Sequence, residues 1–117
     1  MYEVLAYEAG DGSCPYEEFK ELVRRSGDRK VLRIVDAIVT KLGEVGLALL
    51  ETSMMDNIED DIYELRPGSY RVFCFYDRAP SRFVLLHGFR KQTRRTPEAQ
   101  KDRARNSVGQ YLNSIGG

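Results

Sequence analysis

At 117 residues, with 42% apolar and 31% charged side chains, the composition is that of one folded globular domain and not of a disordered or fibrous chain. No apolar run approaches the ~20 residues of a membrane span, and the N-terminus lacks the apolar core of a signal peptide, so a cytoplasmic protein without membrane attachment is expected. The net charge of zero conceals a division: residues 1–61 hold 7 Lys/Arg against 14 Asp/Glu, and residues 62–117 hold 11 against 4. Such asymmetry points to a polyanion-facing surface in the second half, the plainer alternative being that the two halves attract each other across the fold.

In chain order, Tyr2–Glu8 reads as a short strand and Ala9–Ser13 as a loop rich in glycine and aspartate. Pro15–Arg25 has helical spacing, with Tyr16, Phe19, Leu22 and Val23 on one stripe. Asp28 suits the N-cap of a second helix whose buried stripe is Val31, Ile34, Val35, Ile38 and Leu42, ending near Gly43 or Gly46. The two helices form a hairpin. Leu47–Asp61 carries no settled pattern: Leu47–Leu50 fits a helical turn, and Asp56–Asp61 is an acidic approach to a strand-rich stretch. Within that stretch Tyr63–Arg66, Tyr70–Tyr76 and Arg82–Phe89 have the apolar, aromatic and β-branched content of strands. Pro67–Gly68 suits the middle of a type II turn, and Asp77–Ser81 is a polar loop. Thr96–Pro97–Glu98 suits a helix start, with a capping hydroxyl, proline at the first helical position and an acid at the positive end of the dipole. Ala104, Val108, Tyr111, Leu112 and Ile115 are that helix's apolar stripe, with Lys101, Arg103 and Arg105 off it. The expected fold is therefore a compact α+β domain over residues 1–117: N-terminal strand, helical hairpin, three-stranded antiparallel meander, C-terminal helix.

The turn lengths set a register for the meander. If Pro67–Gly68 is the whole turn, Arg66 faces Ser69 and Glu64 faces Arg71; if Asp77–Ser81 is the second loop, Tyr76 faces Arg82 and Arg71 faces His87. One face then carries Arg66, Arg71, His87 and Lys91, with Phe73, Phe75, Phe83 and Leu85 along the rest of it. A cation cluster bordered by aromatic rings suits a single-stranded nucleic acid better than a duplex.

The string YELR, then YR, then LLHGFRKQTRRTP resembles the RelE/HigB superfamily of toxin–antitoxin toxins, in particular its phage-derived HigB-type branch. The likeness is close over roughly residues 62–111 and architectural before them. It implies a small ribosome-dependent mRNA endonuclease held inactive by a co-expressed antitoxin, itself expected to be a small helix-turn-helix protein. The branch's cationic residues carry over to Arg66, Arg71 and Lys91 as the catalytic set. Gln92 stands where the branch has its second lysine, with Arg94 and Arg95 close by to compensate.

The residues themselves narrow the chemistry. One histidine and no His/Cys/Asp/Glu cluster at ligand spacing argue against a zinc site, and no metal or cofactor is expected. Cys14 and Cys74 lie too far apart in sequence to read as a disulfide framework, and reduced thiols are the simpler expectation. No P-loop, GxGxxG or GxSxG string occurs. What remains is phosphate-centred work by arginines and a lysine, on RNA that supplies its own 2′-hydroxyl nucleophile. Arg90, Arg94, Arg95, His87 and Tyr111 are candidates for holding that RNA. Each also has a plain reading: Arg71 pairing with Glu64, Arg66 and Lys91 as solvated surface, His87 and Tyr111 as core. Two other functions stay open, an RNA- or ribosome-binding inhibitor without cleavage and a module whose basic face docks an acidic partner. An antitoxin could cover the cations directly or bind the helical hairpin, where the acidic balance of residues 1–61 would attract a basic partner, with Glu17, Glu18 and Glu21 as the residues to reverse.

Overall fold

The computed structural model describes residues 1–116. The elements, in order, are β1 (Glu3–Ala6), α1 (Pro15–Arg25), α2 (Arg29–Val45), a 3-10 segment (Gly46–Glu51), β2 (Met55–Glu59), β3 (Ile62–Leu65), β4 (Tyr70–Asp77), β5 (Arg82–Arg90) and α3 (Glu98–Gly116). The expected α+β arrangement is present with one strand more. The five strands form a single sheet in the order β1-β5-β4-β3-β2, antiparallel except where β1 runs parallel to β5. The extra strand, β2, is a sheet edge with a register shift between Asn57 and Glu59 and with Asp56 and Asn57 exposed. A polar, bulged edge lacks the alternation that marks a strand in sequence, and it discourages pairing with another chain.

Apolar side chains fill both faces of the sheet. On one, α1, α2 and the 3-10 segment bury Tyr16, Phe19, Val23, Val35, Ile38, Leu42 and Leu49 against Leu65, Tyr70, Val72, Cys74, Phe83 and Leu85. On the other, Ala104 and Tyr111 of α3 close over Ile62, Phe73, Val84, Leu86 and Phe89. Several stripe residues reach less far than their spacing suggests. Leu22 (57%), Leu112 (44%) and Ile115 (54%) are exposed, and Ile34 is at 36%.

Helix ends also differ in detail from the sequence expectation. Asp28 precedes α2, but its carboxylate does not cap the helix and accepts instead from the Tyr70 hydroxyl at 2.6 Å. The Thr96 hydroxyl likewise turns away from α3 to Glu64, while the Pro97 carbonyl accepts from Gln100 and Lys101. Of the two expected ends of α2, Gly46 is the one used.

At Gly88 the helix α1 comes close against the sheet. A Cβ there would lie 2.5 Å from the Phe19 ring of α1. That ring is buried and packed edge-on to Tyr70, so it has little room to retreat. Gly88→Ala should therefore destabilise the protein by about 1–3 kcal/mol, as overpacking in a filled core does. A denaturant midpoint equal to the native one would show that α1 does not sit on β5 in this way.

Candidate functional site

The two hairpins set which side chains meet. Pro67 lies before the β3–β4 turn, not inside it: the Tyr70 amide donates to the Pro67 carbonyl at 3.0 Å, which leaves Gly68 and Ser69 as the central residues. Gly68, at φ 60°, takes the first central position, where the primed turns of tight hairpins need a positive φ. The register is consequently displaced from the expected one. Glu64 faces Phe73, and Leu65 faces Val72. Because the displacement is an even number of residues, Glu64, Arg66 and Arg71 still share one face, the one α3 partly covers.

The β4–β5 pair carries a larger correction. Arg71 is opposite Phe89 and His87 is opposite Phe73, but an irregularity beside Phe73 then brings Cys74 opposite Leu85. One extra residue on β5, Leu86, reverses the facing of everything before it. Phe83 and Leu85 therefore pack under α1 and α2, and Val84 and Leu86 take their expected places. The aromatic border around the cations is also not on the surface: Phe73, Phe83 and Phe89 are buried, and only Phe75 is half-buried.

At the turn end of the sheet the cations gather around a buried acid. The Glu64 carboxylate is 2% exposed. Its Oε2 accepts from Arg66 Nε at 2.9 Å and lies 3.9 Å from Arg71 Nε, while Oε1 accepts from the Thr96 hydroxyl at 3.2 Å. Arg66 also donates through Nη2 to Asp56 Oδ2 on β2 at 2.9 Å. Arg71 is held by Nη1, which donates to the Gly68 carbonyl (2.9 Å) and the Tyr70 carbonyl (2.7 Å). Its Nε–H is buried and has no acceptor.

The basic loop after β5 runs across this cluster and is tied at both ends. The Lys91 amide donates to the Ser69 carbonyl at 2.8 Å, and the Thr96 hydroxyl is bonded to Glu64. Between them Arg94 and Arg95 are exposed, as is Arg90, while Lys91 is half-buried. Gln92, in place of a second lysine, is exposed on the same loop. Beside the cluster lies a cleft of about 790 Å³ lined by Asn57, Ile58, Thr93, Arg95, Thr96, Pro97, Glu98 and Lys101. Arg66, Arg71 and Lys91 are not in its lining.

His87 and Tyr111 do not join the cations. His87 is 1% exposed, with rings of Phe73 and Phe89 at 5.4 and 6.0 Å, and its Nε2 is bonded to Gln100 Oε1 of α3 at 2.9 Å. Burial, helped by nearby Arg103, pushes its pKa down to about 4, against the weaker opposing effect of the Gln100 bond. The ring is neutral at physiological pH and out of reach of a strand on the surface. Tyr111 is buried, its hydroxyl donating to Asp77 Oδ2 at 2.8 Å, and burial followed by that bond raises its pKa. Asp77 stands six residues along β4 from Arg71, a distance of roughly 20 Å. Both side chains belong to the core, where their apolar strand and stripe positions also allowed them.

Sequence reasoning paired Glu64 with Arg71 alone and passed over Asp56, Thr96 and Lys101. The acid of YELR was legible as a strand residue, but its burial under two arginines depends on the turn and on the loop returning from β5.

The architecture is an α+β one consistent with a RelE-like fold. The sequence matches the family described as "Phage derived protein Gp49-like (DUF891)" over residues 20–108. The chain belongs to that family, which is associated with the toxins of toxin–antitoxin systems. No curated protein matches the sequence. Among the described residues no helix is long and apolar enough to cross a membrane.

Proposed function

We propose that this protein is the toxin of a toxin–antitoxin pair, of the RelE/HigB type, and that it cleaves mRNA on the ribosome. The observation that carries the reading is the convergence of Arg66 and Arg71, from either side of the β3–β4 turn, at the end of the sheet reached by the Lys91–Thr96 loop. Family membership supports the toxin role. The RNA 2′-hydroxyl attacks the adjacent phosphorus in line. A 2′-O–P bond forms as the P–O5′ bond breaks, the 2′-hydroxyl loses its proton and the leaving 5′-oxygen gains one. The products are a 2′,3′-cyclic phosphate and a 5′-hydroxyl. Arg71 and Arg66 neutralise the charge that grows on the non-bridging oxygens, which is where fixed donors accelerate most. Lys91 anchors the neighbouring phosphate or shares in protonating the 5′-oxygen. Arg90, Arg94 and Arg95 hold the flanking strand, and a cytoplasmic antitoxin neutralises the toxin by binding it.

Since the nucleophile is the RNA's own, cleavage in a purified translation system should continue in EDTA once magnesium-dependent ribosome integrity is controlled separately, and the new 3′ ends should be cyclic phosphates. Cutting that stops on chelation under that control, or 3′-hydroxyl ends, would contradict the mechanism. A second reading has one observation in its favour. Arg66 is already paired with both Glu64 and Asp56, as suits a cation that binds RNA or ribosome without catalysing anything. Under that reading translation stops while the message stays intact.

A further inference from the structure

Glu64 is the most buried of the described acidic side chains, and nothing in the packing requires an acid there. Its neighbours along the strand and across it, Ile62 and Phe73, belong to the apolar cluster under α3. An apolar residue would fit that cluster without the cost of desolvating a carboxylate. What the acid does is touch every segment that brings a cation to the site: Arg66 just after β3, Arg71 of β4 and, through Thr96, the loop carrying Lys91, Arg94 and Arg95. We infer that Glu64 is a positioning residue. It fixes the Arg66 guanidinium, steers Arg71 from 3.9 Å and pins the far end of the basic loop, so that the three segments present one preformed oxyanion-binding surface. This rests on the reading of Arg66 and Arg71 as ligands of the scissile phosphate. Glu64 does not itself take a proton from the RNA: both its oxygens already accept hydrogen bonds from protein donors, and it is closed off from the surface.

Positioning leaves a kinetic signature that plain structural or electrostatic roles do not. Glu64→Gln keeps the volume and one acceptor but removes the charge that sets the guanidinium directions. With one negative charge fewer beneath the phosphate, the affinity for RNA should not fall. In the ribosome-coupled cleavage assay with the full chain, Glu64→Gln is expected to lower kcat by about 100-fold, the scale of an ångström-sized misplacement, with KM changed by less than about threefold. Thr96→Val releases only the loop and should cost about tenfold in kcat. Because Thr96 acts through Glu64, the double variant should be no slower than Glu64→Gln alone. A folded Glu64→Gln protein with native kcat, a loss confined to KM, or fully additive effects would overturn the assignment. Should Glu64→Gln fail to fold, Thr96→Val decides: it leaves the Glu64–Arg66 pair intact, and native kcat there overturns the loop tie.

A second measurement does not depend on cleavage. On titration with a single-stranded 2′-O-methyl RNA, which cannot cleave itself, the NMR signals of the Arg66 and Arg71 Nε–H groups should shift together in the native protein. In Glu64→Gln they should no longer move in concert, though the RNA still binds. The same concerted shifts in both proteins would refute the positioning role. A native protein that binds this RNA but cuts no message refutes the nuclease reading alone and leaves the NMR comparison to decide on Glu64. One that binds no RNA refutes both.

Discussion

Arg71→Ala should abolish growth arrest when the chain is expressed alone, and should lower mRNA cleavage by about 100- to 1000-fold, the usual cost of removing one oxyanion donor. The protein should remain folded. Arg71 is 16% exposed, and its bonds run to the Gly68 and Tyr70 carbonyls at the hairpin turn, where water can replace a guanidinium. Glu64 keeps its tighter partner, Arg66, at 2.9 Å. The stability change should therefore stay near 1 kcal/mol, within the range of a single partly exposed hydrogen bond or ion pair. Circular dichroism and thermal unfolding check the fold, and colony counts after induction check the toxicity. A soluble, folded Arg71→Ala protein that arrests growth as fully as the native one would remove Arg71 from the site.

His87 makes the fold sensitive to acid. Its folded pKa of about 4 lies below the ordinary 6.5, so between these values the unfolded chain binds the proton that the folded chain refuses. Stability is unaffected above about pH 6.5 and drops as pH falls toward 4, by a total of about 3 kcal/mol at 1.36 kcal/mol per unit of displacement. The strain falls on the packing of α3, because the imidazole sits between Phe73 and Phe89 and is bonded to Gln100. His87→Leu loses that bond and is less stable at pH 7, but it has no proton to gain. Urea unfolding of both proteins from pH 7 to pH 4 should show the gap between them closing as the native protein loses its advantage. Parallel curves over that window would mean that His87 titrates alike in the folded and unfolded chain, as a solvated ring does. Such a result would also reopen its place among the RNA ligands.

Local chemistry and global pairing were not equally visible in the sequence. The helices α1 and α2 announce themselves by apolar spacing, and the β3–β5 meander by aromatic and β-branched content. The face shared by Arg66 and Arg71 survived a wrong turn assignment because moving a register by two residues preserves side-chain parity. Phe83 and Leu85 were lost to the other face because one bulge residue, Leu86, shifts the register by one. No composition marks a bulge of that kind. β2 was hidden by its role, since an exposed edge is served by Asp56 and Asn57 and not by an alternating apolar pattern. Leu22, Leu112 and Ile115 show the converse failure: helical spacing identifies an apolar stripe but not how much surface is opposite to bury it. The Glu64 cluster needed four separate segments to be brought together, by the Gly68 turn, the β2 edge and the loop from Lys91 to Thr96. The turn-based register hinted at the Glu64, Arg66 and Arg71 part of it, and the resemblance in YELR and YR at its cations, but neither reached Asp56 or Thr96.

Primer-extension mapping of mRNA ends in a translating extract tests the central claim most directly. With the native chain, new 5′ ends should accumulate inside the translated region of a reporter message, at discrete positions, and should vanish when translation is blocked before initiation. Arg71→Ala should yield none of them. Protein synthesis that stops while the full-length message persists without new ends would contradict cleavage, and would make the protein an inhibitor that binds and does not cut.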